Sequence, residues 1–336
     1  MTNKIGIAVI GCGYIGTYHA RAIQSAAGAE LVAAVDPDAQ RRDEFGRALG
    51  LTRLLSDPAE LLTDPAVDAV VVAVPNALHK PLANSFLEVG KHVLVEKPMA
   101  LDTEEAQQMA KLAHANDLRL LVGHMWRFDP EAQFLRNAIV EGLLGRVIKT
   151  KGYGIHALWG PSGWFTERAK AGGGALADMG VHAIDTVRYI LGDPAPQSVY
   201  ARIGTYYGNY DVDDSGILMI EWEGGTTSII ESGWWQPQMS GPEAATEVYG
   251  TKGYGRIFPS ELRLKIAGLN GVFTPKVPER TEHCAQFIYD GQMQHFVNCI
   301  KRGKNCNPGP DHGLAIMKIV DAAYRSAESG AVEPVV

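Results

Sequence analysis

The feature that most constrains the fold is the alternation of short apolar runs with segments of helical period over the first 123 residues. The apolar runs are KIGIAVI, ELVAAVD, VDAVVVAVP, KHVLVEKP and LRLLVGH, and the helical segments are Tyr14 to Ala27, Pro37 to Leu49, Pro81 to Gly90 and Thr103 to Asn116. Near-continuous Val, Leu and Ala runs between helices are typical of a parallel sheet covered on both faces. Residues 1–123 are therefore predicted to form a doubly wound α/β domain.

A different rhythm follows His124. One helical stretch, Gly174 to Leu191, precedes the strand-like runs SVYARIGTYY, DSGILMIEWE, TTSIIESGWW, TEVYG and ELRLKIA, which are joined by glycine-bearing turns. This pattern predicts a large open, mainly antiparallel sheet with one face on helices and one face free. Helices at about Ala285 to Arg302 and His312 to Ser329 complete a second α/β domain, residues 124–336. Packing of the terminal helix against the first domain is the alternative.

Composition and charge restrict the class of partner. The chain has 336 residues with 46% hydrophobic and 21% charged content, which is outside the range of disordered proteins. Its net charge is −7, and no block is dense in Lys or Arg. Nucleic acid and anionic membranes are therefore disfavoured as partners, and a small-molecule substrate is expected.

The expected location is the cytoplasm. The apolar runs are shorter than a bilayer span, and the N-terminus enters a strand pattern without the features of a signal peptide. The cysteines, Cys12, Cys284, Cys299 and Cys306, are far apart in sequence and form no C-x-x-C pair. Neither a disulfide framework nor a zinc site is indicated, and no metal site is predicted.

The glycines of GCGYIG follow a predicted strand and open a predicted helix. Gly11 permits a tight turn, Gly13 lets the backbone approach a pyrophosphate, and Gly16 lets helix and strand pack closely. Asp36 stands 20 residues after Gly16 at the end of the second strand, where a carboxylate accepts hydrogen bonds from the adenosine ribose. A glycine-rich turn without a ligand is the alternative, but this context favours dinucleotide binding.

The same aspartate bears on which dinucleotide binds. Asp36 would repel a 2′-phosphate, so NAD is favoured over NADP. Arg41 and Arg42 are evidence against this preference, because an arginine near the ribose can accommodate the 2′-phosphate of NADP. We interpret both as solvent-facing charges of the second helix.

Polar residues follow two of the predicted parallel strands, in VAVPNALH and VEKP. Ligands of open parallel sheets bind outside the carboxyl ends of the strands. Lys97 stands at such an end, and Pro98 keeps it in an extended backbone. Lys97 is thus a candidate for the nicotinamide end of the site, the alternative being a solvated charge at a strand terminus.

A second group of candidate functional residues lies in the stretch GGGALADMGVHAIDTVRYILG. On a regular helix, Asp178, His182 and Asp185 fall within one narrow sector, and Leu176, Ile184, Val187 and Leu191 fall on the opposite one. A merely solvated polar face is the alternative. Three glycines, Gly173, Gly174 and Gly180, are costly in an exposed helix and indicate a close approach by another group.

The tryptophans, Trp126, Trp159, Trp164, Trp222, Trp234 and Trp235, all follow the first domain. Those in HMWRF, HALWGPSGWF and SGWWQP are predicted to face the cleft, whereas Trp222 is expected in the core. Aromatic faces beside Arg127, His156, Asp178 and His182 suit a polyhydroxylated ring with apolar C–H faces. For the loop tryptophans, core filling remains the alternative.

Several motifs together resemble one family. GCGYIG, EKP at 96–98, RFDP at 127–130, GGGALADMGVHAID, EVYGTKG at 247–253 and AAYRSAESG at 322–330 are similar to those of the Gfo/Idh/MocA oxidoreductases, over essentially the whole chain. The resemblance implies an N-terminal Rossmann domain, a C-terminal α/β domain whose open sheet forms an oligomer interface, and catalytic residues Lys97, Asp178 and His182. It also implies substrates such as sugars, inositols and related cyclic polyols.

The site residues predicted from the motifs and the resemblance fall into two groups. Cofactor contacts are expected from Gly11, Gly13, Tyr14, Ile15, Gly16, Asp36, Pro75, Asn76, His79, Glu96 and Lys97. Substrate contacts are expected from Lys97, Trp126, Arg127, His156, Trp159, Trp164, Asp178 and His182.

The predicted activity is NAD-dependent oxidation of a secondary hydroxyl of an inositol, aldose or anhydrosugar. His182 would act as base, Lys97 would stabilise the developing alkoxide, and Asp178 would orient His182 or hold a neighbouring hydroxyl. A redox-assisted glycoside hydrolase or sugar oxidoreductase with tightly bound NAD is the alternative, and a non-catalytic sensor is disfavoured because the catalytic set is intact. The free sheet face predicts a homodimer or homotetramer.

Overall fold

The computed structural model describes residues 4–237, 239, 241–266, 268–278 and 284–336. The chain divides into two compact units, Met1–Met125 with Cys284–Leu314, and Trp126–His283 with Ala315–Val336. Its helices are α1 (Tyr14–Ser25), α2 (Ala39–Leu49), α3 (His79–Glu88), α4 (Thr103–Ala115), α5 (Pro130–Val140), α6 (Arg168–Ala171), α7 (Val181–Ile190), α8 (Gln286–Arg302) and α9 (Pro310–Ser329).

The first unit is built on a parallel sheet. Its strands are β1 (Ile5–Ile10), β2 (Ala29–Val35), β3 (Leu54–Leu55), β4 (Ala69–Val72), β5 (His92–Val95) and β6 (Leu120–Val122). They lie in the order β3-β2-β1-β4-β5-β6, and every neighbouring pair is parallel. The strand order reverses between β1 and β4, and the carboxyl ends of strands at such a switch point are where open α/β sheets bind ligands. This is the predicted doubly wound sheet.

Residues 284–314 belong to the first unit, whereas the sequence interpretation placed them in the second domain. The cause lies in the side chains that α8 presents to α1. The rings of Tyr289 and Tyr18 lie 5.1 Å apart, and the Gln286 amide donates to the Tyr18 carbonyl over 3.0 Å. These contacts couple α8 to α1 across a long separation in sequence.

The second unit contains a nine-stranded sheet. Its strands are β7 (Val147–Ile155), β8 (Pro196–Gly204), β9 (Ser215–Trp222), β10 (Thr227–Gly233), β11 (Ala244–Gly250), β12 (Gly253–Ile257), β13 (Glu261–Ile266), β14 (Leu269–Phe273) and β15 (Glu333–Pro334). The order is β14-β13-β12-β11-β7-β10-β9-β8-β15, with β7 and β10 parallel and the other neighbours antiparallel. The predicted open, mainly antiparallel sheet is confirmed.

One face of this sheet packs on helices. Leu218, Ile220 and Ile230 of the sheet join residues of α7 and α9 in one buried cluster. Along β9 the side chains alternate between this core and the opposite face, where Ile217 and Met219 are 47% and 44% exposed. The alternation produces the predicted arrangement of one buried and one exposed face.

Candidate active site

The turn after β1 has the geometry of a phosphate-binding turn. Gly11 has a φ of +104°, and a Cβ there would lie 2.0 Å from the Ala73 carbonyl oxygen. A Cβ on Gly16 would lie 2.0 Å from the Gly11 oxygen, so helix and strand approach as closely as backbones allow. In contrast, no described atom lies within 4 Å of a Cβ built on Gly13. The open space at Gly13 fits the approach of a pyrophosphate.

The start of α1 adds to this cradle. Gly13 is its N-cap residue, and within the described chain no side chain caps the first backbone N–H groups. Tyr14, the first helical residue, is 64% exposed, and Ile15 follows it partly buried. The uncapped amides and the helix dipole favour an anion at this end.

Asp36 lies at the end of β2 and is held by backbone donors. Its carboxylate accepts from Cys12 N–H over 2.9 Å and from Asp38 N–H over 2.9 Å. A carboxylate offers about four acceptor positions, so capacity remains for ribose hydroxyls. The Arg42 guanidinium donates to the Asp36 carbonyl, and Arg41 is exposed near Asp38. The residues of this turn therefore fit a dinucleotide.

The segment after β4 contains Pro75, Asn76 and His79. Asn76 begins a 3₁₀ turn, Asn76–Leu78, with Pro75 at its N-cap. His79 is fully buried, and its ring nitrogens lie 2.8 Å from the Pro98 carbonyl oxygen and 2.9 Å from that of Val74. The pKa of His79 is lowered, because the effect of burial is larger than the opposing effect of the hydrogen bonds to the Pro98 and Val74 carbonyls. The His79 ring joins the chain after β4 to the chain after Lys97, and its contact with the cofactor stays a prediction.

Glu96 and Lys97 follow β5. Glu96 is bonded to His19 Nε2 over 2.7 Å and accepts from the Lys97 backbone N–H over 3.1 Å. Burial alone would raise the pKa of Glu96, but the hydrogen bond and charge of His19 and the charge of Lys97 outweigh it and lower that pKa. The buried carboxylate thus fixes the backbone that carries the Lys97 side chain.

In the second unit, Asp178 lies in a wide π-helical turn, Leu176–Gly180, that leads into α7. The Asp213 carboxylate caps the start of this turn, accepting from Gly174 and Leu176 N–H over 2.8 Å each. A Cβ on Gly174 would lie 1.8 Å from the Asp213 carbonyl oxygen. The close approach is therefore made by the protein's own backbone at Gly174, and by the Tyr324 side chain at Gly173 and the Leu176 side chain at Gly180.

The Asp178 carboxylate has two partners at the edge of the sheet. Its Oδ2 accepts from the indole Nε1–H of Trp234 over 3.0 Å and lies 3.6 Å from His156 Nε2. The Asp178 and His156 side chains are 10% and 6% exposed. An acid and an imidazole are thus held together in a largely desolvated setting, where polar contacts to a ligand are strong.

His182 lies on the first turn of α7 against an aromatic wall. Its ring centroid is 4.7 Å from that of Trp126, which in turn lies 5.5 Å from Phe258. His182 and Trp126 are 3% and 2% exposed. The wall restricts how far the imidazole can rotate.

His156, which follows β7, is held by a second acid. Its Nδ1 lies 3.1 Å from Glu243 Oε2, and Glu243 Oε1 accepts from Trp159 Nε1–H over 2.6 Å. The Trp159 ring stacks on His156 with centroids 3.6 Å apart, yet Trp159 is 45% exposed. This arrangement offers both an aromatic face and polar groups to a ligand.

Two relatives and one solved structure place the chain among known proteins. It is 31% identical over 311 residues to scyllo-inositol 2-dehydrogenase (NAD(+)) of Bacillus subtilis (strain 168), covering 90% of this chain and 88% of that protein. It is 29% identical to inositol 2-dehydrogenase of Rhizobium meliloti (strain 1021), covering 97% of both. A levoglucosan dehydrogenase in complex with NADH has the same fold, with a TM-score of 0.91, 23% identity and 99% of each chain covered.

Family models match both halves of the chain. Residues 5–124 match the oxidoreductase family with an NAD-binding Rossmann fold, and residues 132–256 match the GFO/IDH/MocA C-terminal domain. The chain belongs to the GFO/IDH/MocA oxidoreductase family. The resemblance seen in the motifs is thereby confirmed, and the first unit is an NAD-binding Rossmann domain.

Arg127 of this oxidoreductase lies in a buried cluster of ion pairs. Its guanidinium donates to the Asp185 carboxylate over 2.7 to 3.0 Å and lies 2.8 Å from Asp193 Oδ1, and its side chain is 1% exposed. Burial opposes its charge, but the two carboxylates outweigh burial and raise the pKa of Arg127. Asp185 and Asp193 thus neutralise the buried Arg127 guanidinium and hold it against α7, and the contact of Arg127 with a substrate stays a prediction.

The π-helical turn Leu176–Gly180 interrupts the regular helix that the sequence predicted over Gly174 to Leu191. A regular helix over Gly174 to Leu191 put Asp178, His182 and Asp185 in one sector, but the wide turn changes the angular relation between Asp178 and the residues of α7. Trp164 lies in the 3₁₀ turn Gly163–Thr166 with its ring stacked on Phe165 at 3.8 Å. Among the described residues, the ring of Trp126 lies against His182, the ring of Trp159 stacks on His156, and the indole of Trp234 donates to Asp178.

Two contributors in the oxidoreductase site, Trp234 and Glu243, were absent from the predicted site residues. Trp234 was recognised only as part of SGWWQP, and its ring is fully buried. Glu243 stands in GPEAAT with no local pattern around it. Their contacts join residues 56 and 87 positions apart in the chain, which no local motif can signal.

Among the residues that the structure describes, no group of three His, Cys, Asp or Glu side chains is arranged to hold a metal ion. Within the same residues, no helix is both long and apolar enough to cross a bilayer.

Proposed function

We propose that this oxidoreductase oxidises a secondary hydroxyl group of a cyclic polyol or sugar, with NAD as the hydride acceptor. The observation that carries the proposal is the contact between Asp178 and His156 beside the Trp159 ring. Two largely buried polar side chains and an aromatic face match a ring that has many hydroxyls and apolar C–H faces. The names of the two inositol dehydrogenases support the same substrate class.

NAD would be held by the Gly11 to Gly16 turn and by Asp36. When bound, NAD supplies the carbon that receives the hydride. The open side of Gly13 and the uncapped start of α1 favour its pyrophosphate, and the Asp36 carboxylate favours ribose hydroxyls over a 2′-phosphate. NAD is therefore preferred over NADP in this proposal.

Lys97, Asp178 and His182 are the proposed catalytic residues. His182 takes the hydroxyl proton, since an imidazole is suited to proton transfer near neutral pH. The Lys97 ammonium stabilises the alkoxide that develops as the hydride leaves. Asp178, held by Trp234, accepts a hydrogen bond from a neighbouring substrate hydroxyl or orients His182.

The test of the proposed function is the formation of NADH by the purified protein with a panel of inositols, aldoses and anhydrosugars, each with NAD and with NADP. The proposal predicts a rise in NADH absorbance with one class of ring polyol and a preference for NAD. The redox-assisted alternative predicts no net NADH, together with a nucleotide that copurifies and does not exchange.

We further propose that the exposed face of the second sheet joins two copies of the chain, as a homodimer or within a homotetramer. Ile217 and Met219 lie two positions apart on β9 and are 47% and 44% exposed on the face that carries no helices, and exposed apolar patches mark interaction sites on soluble proteins. Light scattering after size exclusion tests this, and a monomer at micromolar concentration would contradict it.

Four buried free thiols are consistent with a cytoplasmic location.

A further inference from the structure

Glu243 connects two of the groups proposed to meet the substrate. One carboxylate oxygen pairs with His156 Nδ1 at 3.1 Å, and the other accepts from Trp159 Nε1–H at 2.6 Å. The Glu243 side chain is 27% exposed, against 6% for His156. Because each oxygen has its own donor, the carboxylate fixes both rings at once.

The backbone holds this arrangement at one end of three neighbouring strands. Ile155 N–H donates to the Glu243 carbonyl over 2.8 Å, and His156 N–H donates to the Gly233 carbonyl over 2.9 Å. Trp235 N–H donates to the Trp159 carbonyl over 2.9 Å. The ends of β7, β10 and β11 therefore define where Glu243 stands relative to His156.

The hydrogen bond also determines which nitrogen of His156 carries the proton. A carboxylate only accepts, so Nδ1 must donate to Glu243. In a neutral imidazole the other nitrogen, Nε2, is then an acceptor. Nε2 lies 3.6 Å from Asp178 Oδ2, which is also an acceptor. Two acceptors at this spacing match two adjacent hydroxyl groups of one ring.

We propose that Glu243 is a positioning residue that holds His156 in its Nδ1–H form, so that His156 Nε2 and Asp178 accept hydrogen bonds from adjacent substrate hydroxyls. Only the role toward substrate rests on the proposed function; the effect of Glu243 on His156 does not. The inference gives the site a preference for vicinal diols, which cyclic polyols and sugars contain.

The Glu243→Gln variant separates this role from simple packing. A glutamine amide has nearly the same shape as the carboxylate, but it has only one acceptor oxygen. If that oxygen accepts from Trp159, the amide N–H₂ faces His156 Nδ1, which must then accept. The His156 proton therefore moves to Nε2, and Nε2 becomes a donor directed toward Asp178.

The first measurement is the tautomer of His156, read from ring ¹⁵N–¹H correlation spectra of protein labelled on histidine. A His156→Asn variant identifies the His156 signals. We expect the Nδ1–H pattern in the unmodified protein and a shift to the Nε2–H pattern in Glu243→Gln. Glu223→Gln, the same change at an exposed turn of the same unit, serves as the matched control and leaves the pattern unchanged.

The second measurement is steady-state kinetics with the polyol that gives turnover. Losing one well-placed hydrogen bond to the substrate raises KM for the polyol in Glu243→Gln by about tenfold, with kcat and KM for NAD changed by less than about twofold. In Glu243→Ala, added acetate lowers the polyol KM again because it replaces the missing carboxylate. Glu223→Gln retains the original constants.

The two measurements distinguish the possible failures. An unchanged His156 pattern in Glu243→Gln overturns the proposal, as does an equal rise in KM for polyol and NAD, which would indicate a general distortion. If no polyol is turned over but the His156 proton moves as expected, the proposed function fails while the positioning of His156 by Glu243 stands.

Discussion

The imidazole of His182 lies against the indole of Trp126, with ring centroids 4.7 Å apart and planes inclined by 33°. Because both rings are buried, Trp126 limits the rotation of the proposed base. Trp126→Leu is therefore expected to lower kcat by about tenfold with little change in KM for NAD. His182→Ala removes the base itself and is expected to lower kcat by about 10²- to 10⁴-fold. Stopped-flow or steady-state NADH formation measures both, and near-normal turnover of His182→Ala would contradict the assigned role.

The two glycines Gly13 and Gly16 are expected to respond differently to the same substitution. A Cβ at Gly13 meets no described atom within 4 Å, whereas a Cβ at Gly16 meets the Gly11 oxygen at 2.0 Å. Gly13→Ala should keep the melting temperature within about 2 °C yet weaken NAD binding by about tenfold or more, because the methyl group fills the pyrophosphate space. Gly16→Ala should lower the melting temperature clearly. Calorimetric titration with NAD and thermal unfolding compare the pair, and equal behaviour of the two variants would refute the proposed geometry.

Asp36 is expected to set the cofactor preference. In Asp36→Ser the charge that repels a 2′-phosphate is lost, while the Arg42 guanidinium remains close by. We expect the ratio of kcat/KM for NAD to that for NADP to fall by about tenfold or more. Asp43→Asn, an exposed position on α2, is the matched control. An unaltered ratio in Asp36→Ser would show that the adenosine ribose is recognised elsewhere.

The Glu96 carboxylate makes a pH-dependent contribution to stability. Its pKa in the folded protein lies below the value of 4.5 for an unperturbed glutamate, so the ionised form stabilises the fold. That contribution is complete above about pH 4.5 and is lost as the pH falls through the folded-state pKa. Glu96→Gln should lower the free energy of unfolding by about 1 to 3 kcal/mol at pH 7, with a smaller difference in acid.

Urea unfolding followed by far-ultraviolet circular dichroism at pH 7 and pH 4 measures the Glu96 effect. Glu88→Gln, at an exposed position of the same unit, is the control and should show little effect at either pH. A Glu96→Gln effect that is the same at both pH values would show that burial of the side chain, and not its charge, matters.

The buried ion pair between Arg127 and Asp185 is expected to stabilise the second unit. Asp185→Asn leaves a buried guanidinium with one carboxylate fewer and should cost about 3 to 5 kcal/mol. The double variant Arg127→Met/Asp185→Leu should recover part of this loss, since Asp193 retains Arg136 and Arg188 as neighbours. All six tryptophans lie in the second unit, so tryptophan fluorescence during urea unfolding reports on it alone. A mild single variant together with a worse double variant would contradict the account.

Local pattern predicted the first unit well because its strands are buried on both faces. β4 reads AVVV and all four residues are buried, so the sequence signal is unambiguous. The helix bounds differ from the predicted ones where capping residues set the helix ends. Helix α2 was predicted from Pro37 but begins at Ala39, because the Asp38 side chain accepts a hydrogen bond from Arg41 N–H. The end of α1 at Ser25 and the start of α9 at Pro310 differ from prediction by two residues each.

The second unit was predicted less completely, and β7 shows why. Its sequence VIKTKGYGI exposes Lys149 and Lys151 and contains two glycines, so it has no continuous apolar run. A Cβ at Gly154 would lie 2.4 Å from the Met179 carbonyl oxygen, which explains a glycine inside a central strand. The missed helix α5 had a recognisable start, with Asp129 as N-cap and Pro130 as its first residue.

In the candidate site, too, residues that belong to local motifs were recognised, and roles that depend on distant partners were not. Asp178 and His182 are close in sequence and were recognised together, and the helix-opening glycines have a fixed spacing. The roles of His79, Arg127 and Glu243 depend on partners far away in the chain, such as Pro98, Asp185 and His156. Such pairings arise only when the sheet and its loops are assembled, so the sequence could name the residues but not their contacts.

The central claim is that a hydride passes from the carbon of a ring hydroxyl to NAD, and a deuterium-transfer measurement tests it most directly. The protein is mixed with NAD and a ring polyol, chosen from the panel, that carries deuterium at its hydroxyl-bearing carbons, and the reduced cofactor is analysed by mass spectrometry. The account predicts reduced NAD that is heavier by one deuterium, and the same product formed about 10²- to 10⁴-fold more slowly with His182→Ala. Reduced NAD without deuterium, or oxidised polyol with no reduced NAD, would contradict direct hydride transfer.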